Sequence, residues 1–470
     1  MRLNLQAFTS GLELMTSTAT RFDNYNSDFQ AVRERRAADG PAWLTELGDQ
    51  AWTKFSELGF PTARRGNERW KYTNVAPIAK ANFGLGGLLT SESGQPALRL
   101  APTKDDWINL VFVDGRFSSA LSNLNSSKVA SNGVAVNNLA DAITSGSVNV
   151  EQYLAKHAGF QDDGFAALNT AFLGDGAFVH VPDGCVLESP VNLIYLTSVS
   201  SHRTVSYPRT LIIVGKGAQA TVIESYVGAR GGETSREYLT NAVTEMTLGE
   251  GAILDHYRLI SESNGAFHVG TSRVNQEQDS VLSSASFATG ATLARNDFEV
   301  QLNGTGASCT LNGLYLTTEG QHMDNLISID HAMPYTTSQL TYKGILDGKS
   351  KAVFGGEVLV RKDAQKVRAH QSDKNLLLSA QAEVDSKPSL LIYADDVQCG
   401  HGATAGHVDK DSLFYLRSRG LDLDTASRML VHAFARDIIE NVKNEHLMQY
   451  LDDMFLEAIP QSGLQIGGAA

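Results

Sequence analysis

Gly215-Lys-Gly-Ala218, Gly249-Glu-Gly-Ala252, Thr289-Gly-Ala291 and Gly304-Thr-Gly-Ala307 are four similar turn signals, and the runs between them decide the fold. Glycine reaches backbone conformations that other residues resist, so it marks sharp reversals. Short β-favouring runs alternate with these turns: Val191 to Thr197, Thr210 to Val214, Thr221 to Val227, Ala252 to Ile260, Phe298 to Leu302 and Val358 to Val360. From about residue 165 to 405 no long helix can be placed. The turn spacing is irregular, so there is no strict repeat, and many short strands with recurring turns fit a sandwich, a barrel or a β-solenoid. Small residues sit beside the turns, as in Ser283-Ser-Ala-Ser286 and Gly306-Ala-Ser-Cys309. They favour stacked coils around a narrow interior, and the solenoid is the preferred reading.

The flanks read differently. Pro41 to Gly59 opens with Pro at the first turn, closes on Gly, and places Trp43, Leu44, Leu47, Ala51, Phe55 and Leu58 at spacings of three and four, the mark of an amphipathic helix. Gly84 to Gly94 reads as a loop, and residues 107–114 as a strand with a turn after it. Beyond Gly406 helical patterning returns. Asp409 can cap a segment running to Gly420, Asp424 a second over Thr425 to Lys443, and a last helix spans Glu445 to Ala458. The middle helix is apolar over more than one face, which implies packing on its own domain and on something else.

Composition narrows the function. The 470 residues can bury a large core and hold two or three domains. A net charge of −13 argues against nucleic acid, whose binders need a basic face. Three cysteines, Cys185, Cys309 and Cys399, are too few for a disulfide framework and point to a reducing compartment. The first thirty residues lack the apolar core of a signal peptide, show no clear transit peptide, and no stretch approaches the ~20 apolar residues of a membrane span.

Candidate chemistry is sparse. Gly344-Ile-Leu-Asp-Gly-Lys-Ser350 falls one residue short of a phosphate loop and runs into a strand where such a loop needs a helix, so it reads as a hairpin turn. The common zinc and hydrolase signatures are absent. Cys185 and Cys309 read as small buried residues, and His322 and His331 as hydrogen-bonded structural ones. Cys399 and His401, two residues apart, can meet one soft metal, yet two ligands cannot fill a four-coordinate site. A capped turn with incidental residue types competes with that reading.

Several blocks together resemble the SufB/SufD family of iron–sulfur cluster assembly scaffolds. They are Arg65-Gly-Asn-Glu-Arg-Trp-Lys-Tyr-Thr73, Asp330-His331 through Ser338 to Tyr342-Lys-Gly344, Phe354-Gly-Gly-Glu-Val-Leu-Val360, His370-Gln-Ser-Asp-Lys-Asn-Leu-Leu-Leu-Ser379, Lys387 to Thr404, and Phe414-Tyr-Leu-Arg-Ser-Arg-Gly420. They follow one another in order over roughly residues 60 to 440. Cys399-Gly-His-Gly-Ala-Thr404 is close to the SufD branch of the family, with Gly400 in place of Ser. Leu416 stands where the SufB branch carries a cysteine, and leucine cannot ligate iron. The resemblance implies a mainly β protein: a right-handed parallel β-helix over 156–407, flanked by a mainly helical N-terminal domain (1–155) and a C-terminal helical domain (408–470).

The same resemblance implies a non-catalytic scaffold in a complex with SufB, paired through the β-helices, and with the ATPase SufC on the C-terminal helices. It implies that ATP is bound only by SufC, and it allows a homodimer in isolation. The implied cofactor is a transient iron–sulfur cluster shared with SufB, none being permanently bound. His401 is the expected metal ligand from this chain and Cys399 a lesser one, while His370, Gln371, Lys374 and Asn375 look like interface or packing residues. The implied compartment is cytoplasmic, or the plastid stroma in a plant or alga. Two other functions fit less well: a purely structural coupling subunit, and a carbohydrate-active solenoid enzyme built on clustered acids.

Overall fold

The computed structural model of the chain describes residues 23–86, 98–124, 133–146, 148–198, 202–228 and 237–460. The first 22 residues, read above for a leader, and residues 87–94 of the expected loop lie outside that set. Between the turns, successive strands are dealt alternately into two sheets. One wall runs Ala177–Val181, Arg209–Val214, Tyr238–Leu248, Ala266–Gln276, Leu293–Leu302, His322–His331, Lys351–Val360 and Glu383–Ile392. The other runs Ile108–Val113, Val191–Thr197, Gln219–Gly228, Ile253–Ser261, Val281–Thr289, Ser308–Thr317, Thr337–Leu346, Arg368–Leu377 and Gln398–Gly406. Neighbours within each wall pair in parallel. The result is a parallel β-solenoid of about eight turns. Its first strand in the second wall, Ile108–Val113, comes from the N-terminal part of the chain.

The repeat is loose in sequence because coil length varies. Leu293 pairs with His322 and His322 with Lys351, both 29 residues on, but Phe267 pairs with Leu293 at 26 and Lys351 with Glu383 at 32. One corner is held constant. Gly184, Gly217, Gly251, Asp279, Gly306, Tyr335 and Lys366 all take positive φ there. Each donates its backbone N–H to the same corner of the next coil: Gly217 to Glu250 O at 2.8 Å, Asp279 to Thr305 O at 3.0 Å, Lys366 to Asp396 O at 2.7 Å. The residue that follows in the chain, Ala218, Ala252, Ser280 or Ala307, turns inward and is fully buried. That geometry is the meaning of the Gly-x-Gly-Ala signals. Asp279, Tyr335 and Lys366 keep it without glycine, at a strain of order 1 kcal/mol each. Gly348 lies in the other corner, where the chain passes from the second wall back to the first; Thr337–Leu346 and Lys351–Val360 belong to opposite walls and do not pair. The hairpin expected there is therefore a solenoid corner, and strand rather than helix follows it.

Apolar side chains fill most of the lumen, and a charged cluster is set among them. Glu224 accepts from Thr210 Oγ1 at 2.7 Å, Thr244 Oγ1 at 2.8 Å and Arg258 Nη2 at 3.1 Å, with His256 Nε2 at 3.0 Å. Burial alone would raise its pKa; Arg258 and His256 hold the carboxyl well below the usual range. Removing one member of such a buried pair costs about 3–5 kcal/mol.

The helices dress the outer faces. α1 (Asp23–Asp39), α2 (Ala42–Leu58), α3 (Ala76–Lys80), α4 (Leu139–Ser145) and α5 (Gly164–Ala171) come first; α6 (Lys410–Ser418), α7 (Leu423–Ile439) and α8 (Glu445–Ala458) follow the last coil. The short α5, Asp163 capping its first turn, was not legible in the β-rich pattern. On the first wall's outer face Arg209 pairs with Glu245, both fully buried, and Glu245 also accepts the backbone N–H groups of Ala155, His157 and Ala158. The Arg65–Thr73 block clasps the same face further along. Arg69 meets Asp297 at 2.8 Å, Arg295 stacks over Trp70 at 3.8 Å, and Thr73 donates to Asp324 at 2.5 Å. On the second wall, Val431, Ala435, Ile438, Leu451 and Phe455 of α7 and α8 pack against Tyr257, Leu259, Phe287, Leu314 and Ile345. Asp422, not Asp424, caps α7, accepting from Thr425 N at 2.9 Å; Asp424 falls in the first turn, where its charge suits the helix dipole. Among the described residues no helix is long and apolar enough to cross a membrane.

His331 is fully buried in the lumen, with Thr336 Oγ1 2.7 Å from Nδ1 and Ser338 Oγ 2.8 Å from Nε2. Burial pushes its pKa down to about 4. Since the unfolded ring titrates near ~6.5, its contribution to stability is complete above that pH and is lost as pH falls toward 4. Denaturant titrations at pH 7 and pH 5 should therefore show about 2 kcal/mol of pH-dependent loss that His331→Asn removes. A variant with the wild-type pH dependence would contradict this.

Candidate functional site

Gln398–Gly406 ends the second wall and has a strand on one side only. Its register sets Cys399 against Ala369, His401 against Gln371 and Ala403 against Asp373. Side chains alternate across a strand, so Cys399 and His401 share one face. Ala369, Gln371 and Asp373 are buried, which identifies that face as the lumen side. Cys399 is half-buried against the lumen cluster, while His401, with no coil beyond it, is exposed. The pair expected from sequence thus sits together at the open mouth of the solenoid. Among the described residues no group of three or more His, Cys, Asp and Glu side chains could hold a metal ion. Two ligand types at a mouth leave room for ligands from elsewhere.

Beneath the pair lies a polar layer. Gln371 crosses the lumen: its Nε2 is 3.2 Å from Ser389 O on the opposite wall and 3.3 Å from His401 Nδ1. Gly356 makes the crossing feasible, since a Cβ there would stand 2.5 Å from Gln371 Oε1 and 2.9 Å from the Phe354 ring. The Phe354-Gly-Gly-Glu357 block therefore serves the site through a missing side chain. Asp373 Oδ2 accepts from Ser386 Oγ at 2.6 Å and Asn375 Nδ2 at 2.8 Å, and Tyr315 OH donates to Asn375 Oδ1 at 2.7 Å. Burial pushes the Asp373 carboxyl up to about 6. Of the neighbours read from sequence, Gln371 and Asn375 point inward, whereas His370 and Lys374 are exposed on the outside. Asp373 escaped notice because every residue from His370 to Asn375 is polar, so no alternation reveals the inward face.

Both terminal strands present open edges, and a run of apolar side chains, Leu391, Ile392 and Tyr393, is exposed at the end of one of them, the tyrosine at 64%. A second exposed apolar surface lies on α6, where Phe414 is 75% and Tyr415 56% exposed, beside Leu423 and Met429. The surplus apolar character of α7 is largely spent on the wall; Leu423 and Met429 of α7 remain open, as do Phe414 and Tyr415 of α6.

The other singled-out residues fall elsewhere. Cys309 is buried in a strand, and burial pushes its thiol up to about 12. Cys185 is half-buried in the Pro182–Cys185 turn. His322 Nε2 lies 3.0 Å from Thr73 Oγ1, in the clasp. The lumen acid Glu224 is the fully buried counter-charge of Arg258.

A family model described as the SufBD core domain of SUF system FeS cluster assembly matches residues 196–434, and one for the SufBD protein N-terminal region matches residues 19–193. An iron–sulfur cluster assembly SufBD family protein of Synechocystis sp. is 31% identical over 432 residues, covering 89% of this chain and 92% of its own. The iron–sulfur cluster assembly protein SufD of Escherichia coli is 31% identical over 415 residues, covering 86% and 91%. The chloroplastic protein ABCI7 of Arabidopsis thaliana is 31% identical over 405 residues, covering 83% and 81%.

Burial also raises the Cys399 thiol, partly offset by a hydrogen bond from the Ala369 backbone N–H. Iodoacetamide followed by peptide mass spectrometry should label Cys399 in the native chain more slowly than a free thiol. Cys309 should react at least about a hundredfold more slowly than Cys399 until the chain is unfolded. Equal labelling of the two would contradict the placement.

Proposed function

We propose, from the premise that this chain belongs to the SufB/SufD family of iron–sulfur cluster assembly proteins, that it is a non-catalytic scaffold subunit of a SufBCD-type complex. The observation that carries the reading is the open end of the solenoid: two terminal strands with one free edge each, the exposed run Leu391–Tyr393 and, at the mouth, Cys399 with His401. A SufB partner pairs with that end and supplies further thiolates. The cluster is the complex's product, assembled at the junction and handed on. His401 offers a nitrogen from this side and Cys399 a secondary thiolate; an imidazole among thiolates changes charge and loosens the hold on a cluster meant to leave. SufC docks on the exposed face of α6, binds the ATP, and by dimerising moves the C-terminal helices and the coils they grip. Lys343 on Asp437 at 2.7 Å and Lys443 on Asp255 at 2.5 Å supply the grip. The complex operates in the cytoplasm or, in a plant or alga, in the plastid stroma.

The test is co-expression with SufB and SufC partners and anaerobic purification. His401→Ala should leave the complex intact and lower its iron, acid-labile sulfide and visible absorption at least about tenfold, as expected for loss of a ligand that other groups do not replace. An unchanged cluster would reduce this chain to a structural arm coupling the ATPase to SufB. Phe414→Ala with Tyr415→Ala should abolish co-purification of SufC while SufB stays bound. Retention of SufC by that variant would move the docking site elsewhere.

A further inference from the structure

We infer that Gln371 is a positioning residue that holds His401, in the unloaded chain, as the tautomer with its proton on Nε2. The mouth then presents an N–H, and the lone pair a metal needs is withheld. The orientation of the Gln371 amide is fixed by its neighbours. Ser389 O can only accept, so the amide atom 3.2 Å from it is the NH2 group. One of its hydrogens serves that carbonyl, and the other faces His401 Nδ1 at 3.3 Å. A nitrogen facing a donor must be bare, and a neutral imidazole with a bare Nδ1 carries its hydrogen on Nε2.

Turning the amide over is disfavoured. Oε1 now lies in the slot left by Gly356, with no hydrogen-bond partner, and Gln371 is 1% exposed. A half-turn would set Oε1 against Ser389 O, two acceptors face to face, and push the NH2 group into a slot that offers it no acceptor. Metal-ligating histidines normally show the opposite arrangement, donating the N–H of the non-ligating nitrogen to an acceptor. For His401 Nε2 to take iron, the proton must leave Nε2, one must arrive at Nδ1, and Gln371 must release the ring or turn over. The sequence Gly356, Gln371, Ser389, His401 therefore acts as a latch across both walls, coupling ligand availability to the position of the terminal strand Glu383–Ile392. The significance of the latch rests on the proposed ligand role of His401; the tautomer does not.

The experiment uses the full-length chain with ring-15N-labelled histidine and no iron. Long-range 1H–15N correlation spectra are recorded at a pH where the ring is neutral, with His401→Ala to assign the signal. The expected result is a single tautomer, Nε2 protonated and Nδ1 bare. Gln371→Glu supplies an acceptor at Nδ1 and should move the proton there. Gly356→Ala, which fills the slot and displaces the amide, should give a mixture. A wild-type ring that samples both tautomers, or is protonated on Nδ1, overturns the inference. So does an unchanged tautomer in Gln371→Glu. Because no cluster is present, failure here is separate from failure of the ligand role, which the cluster content of the His401→Ala complex reads.

Discussion

A strand inside a parallel solenoid has its backbone satisfied by the coil before it and the coil after it; the last coil has only one neighbour. That asymmetry governs this molecule. Parallel pairing runs without interruption through both walls until Glu383–Ile392 and Gln398–Gly406, where a row of backbone donors and acceptors is left on each. Such edges invite another strand, and proteins that stay alone usually blunt them. Here Lys387 and Pro388 blunt one edge in part, yet the exposed run Leu391–Tyr393 and the two ligand-type side chains lie at the same end. The site is where it is because the coil that would have buried it does not exist.

The rest of the structure makes the coils before that end rigid. Buried charges are costly unless paired, and this chain pairs them across coils and domains. Glu224 with Arg258 and His256 locks the early lumen. Arg209 with Glu245 ties the outer wall to the N-terminal segment. The Arg69–Thr73 clasp reaches strands Leu293–Leu302 and His322–His331, so the N-terminal part of the chain grips the middle of the solenoid. The C-terminal helices grip the opposite wall from Tyr257 to Ile345. A pull on those helices is thus transmitted to several coils at once through packed side chains.

Much of this was legible in the sequence, for identifiable reasons. Gly-x-Gly-Ala marks the corner because a positive φ precedes an inward small residue, and the run Val191–Thr197 is read with correct bounds because its strand is wholly buried and continuously apolar. Strands such as Tyr238–Leu248 and Ala266–Gln276 were missed because their polar residues, Thr244, Glu245 and His268 among them, find partners under the N-terminal segment or in the lumen rather than in water. Cys399 and His401 could be paired from spacing alone. The supporting layer could not be read, since Gln371, Gly356 and Ser389 stand up to 33 residues apart and meet only through coil register. Resemblance supplied what local pattern lacked, down to the Phe354-Gly-Gly block whose physical purpose is the space it leaves.

In the proposed complex a SufB-type partner pairs with the open end of the solenoid and covers it. Amide hydrogen exchange over residues 398–406 and 383–392, compared between the isolated chain and the co-purified complex, tests it directly. Both strands should exchange readily in isolation and become strongly protected in the complex, with Ala266–Gln276 unchanged. Terminal strands that exchange at the same rate in both states would contradict it.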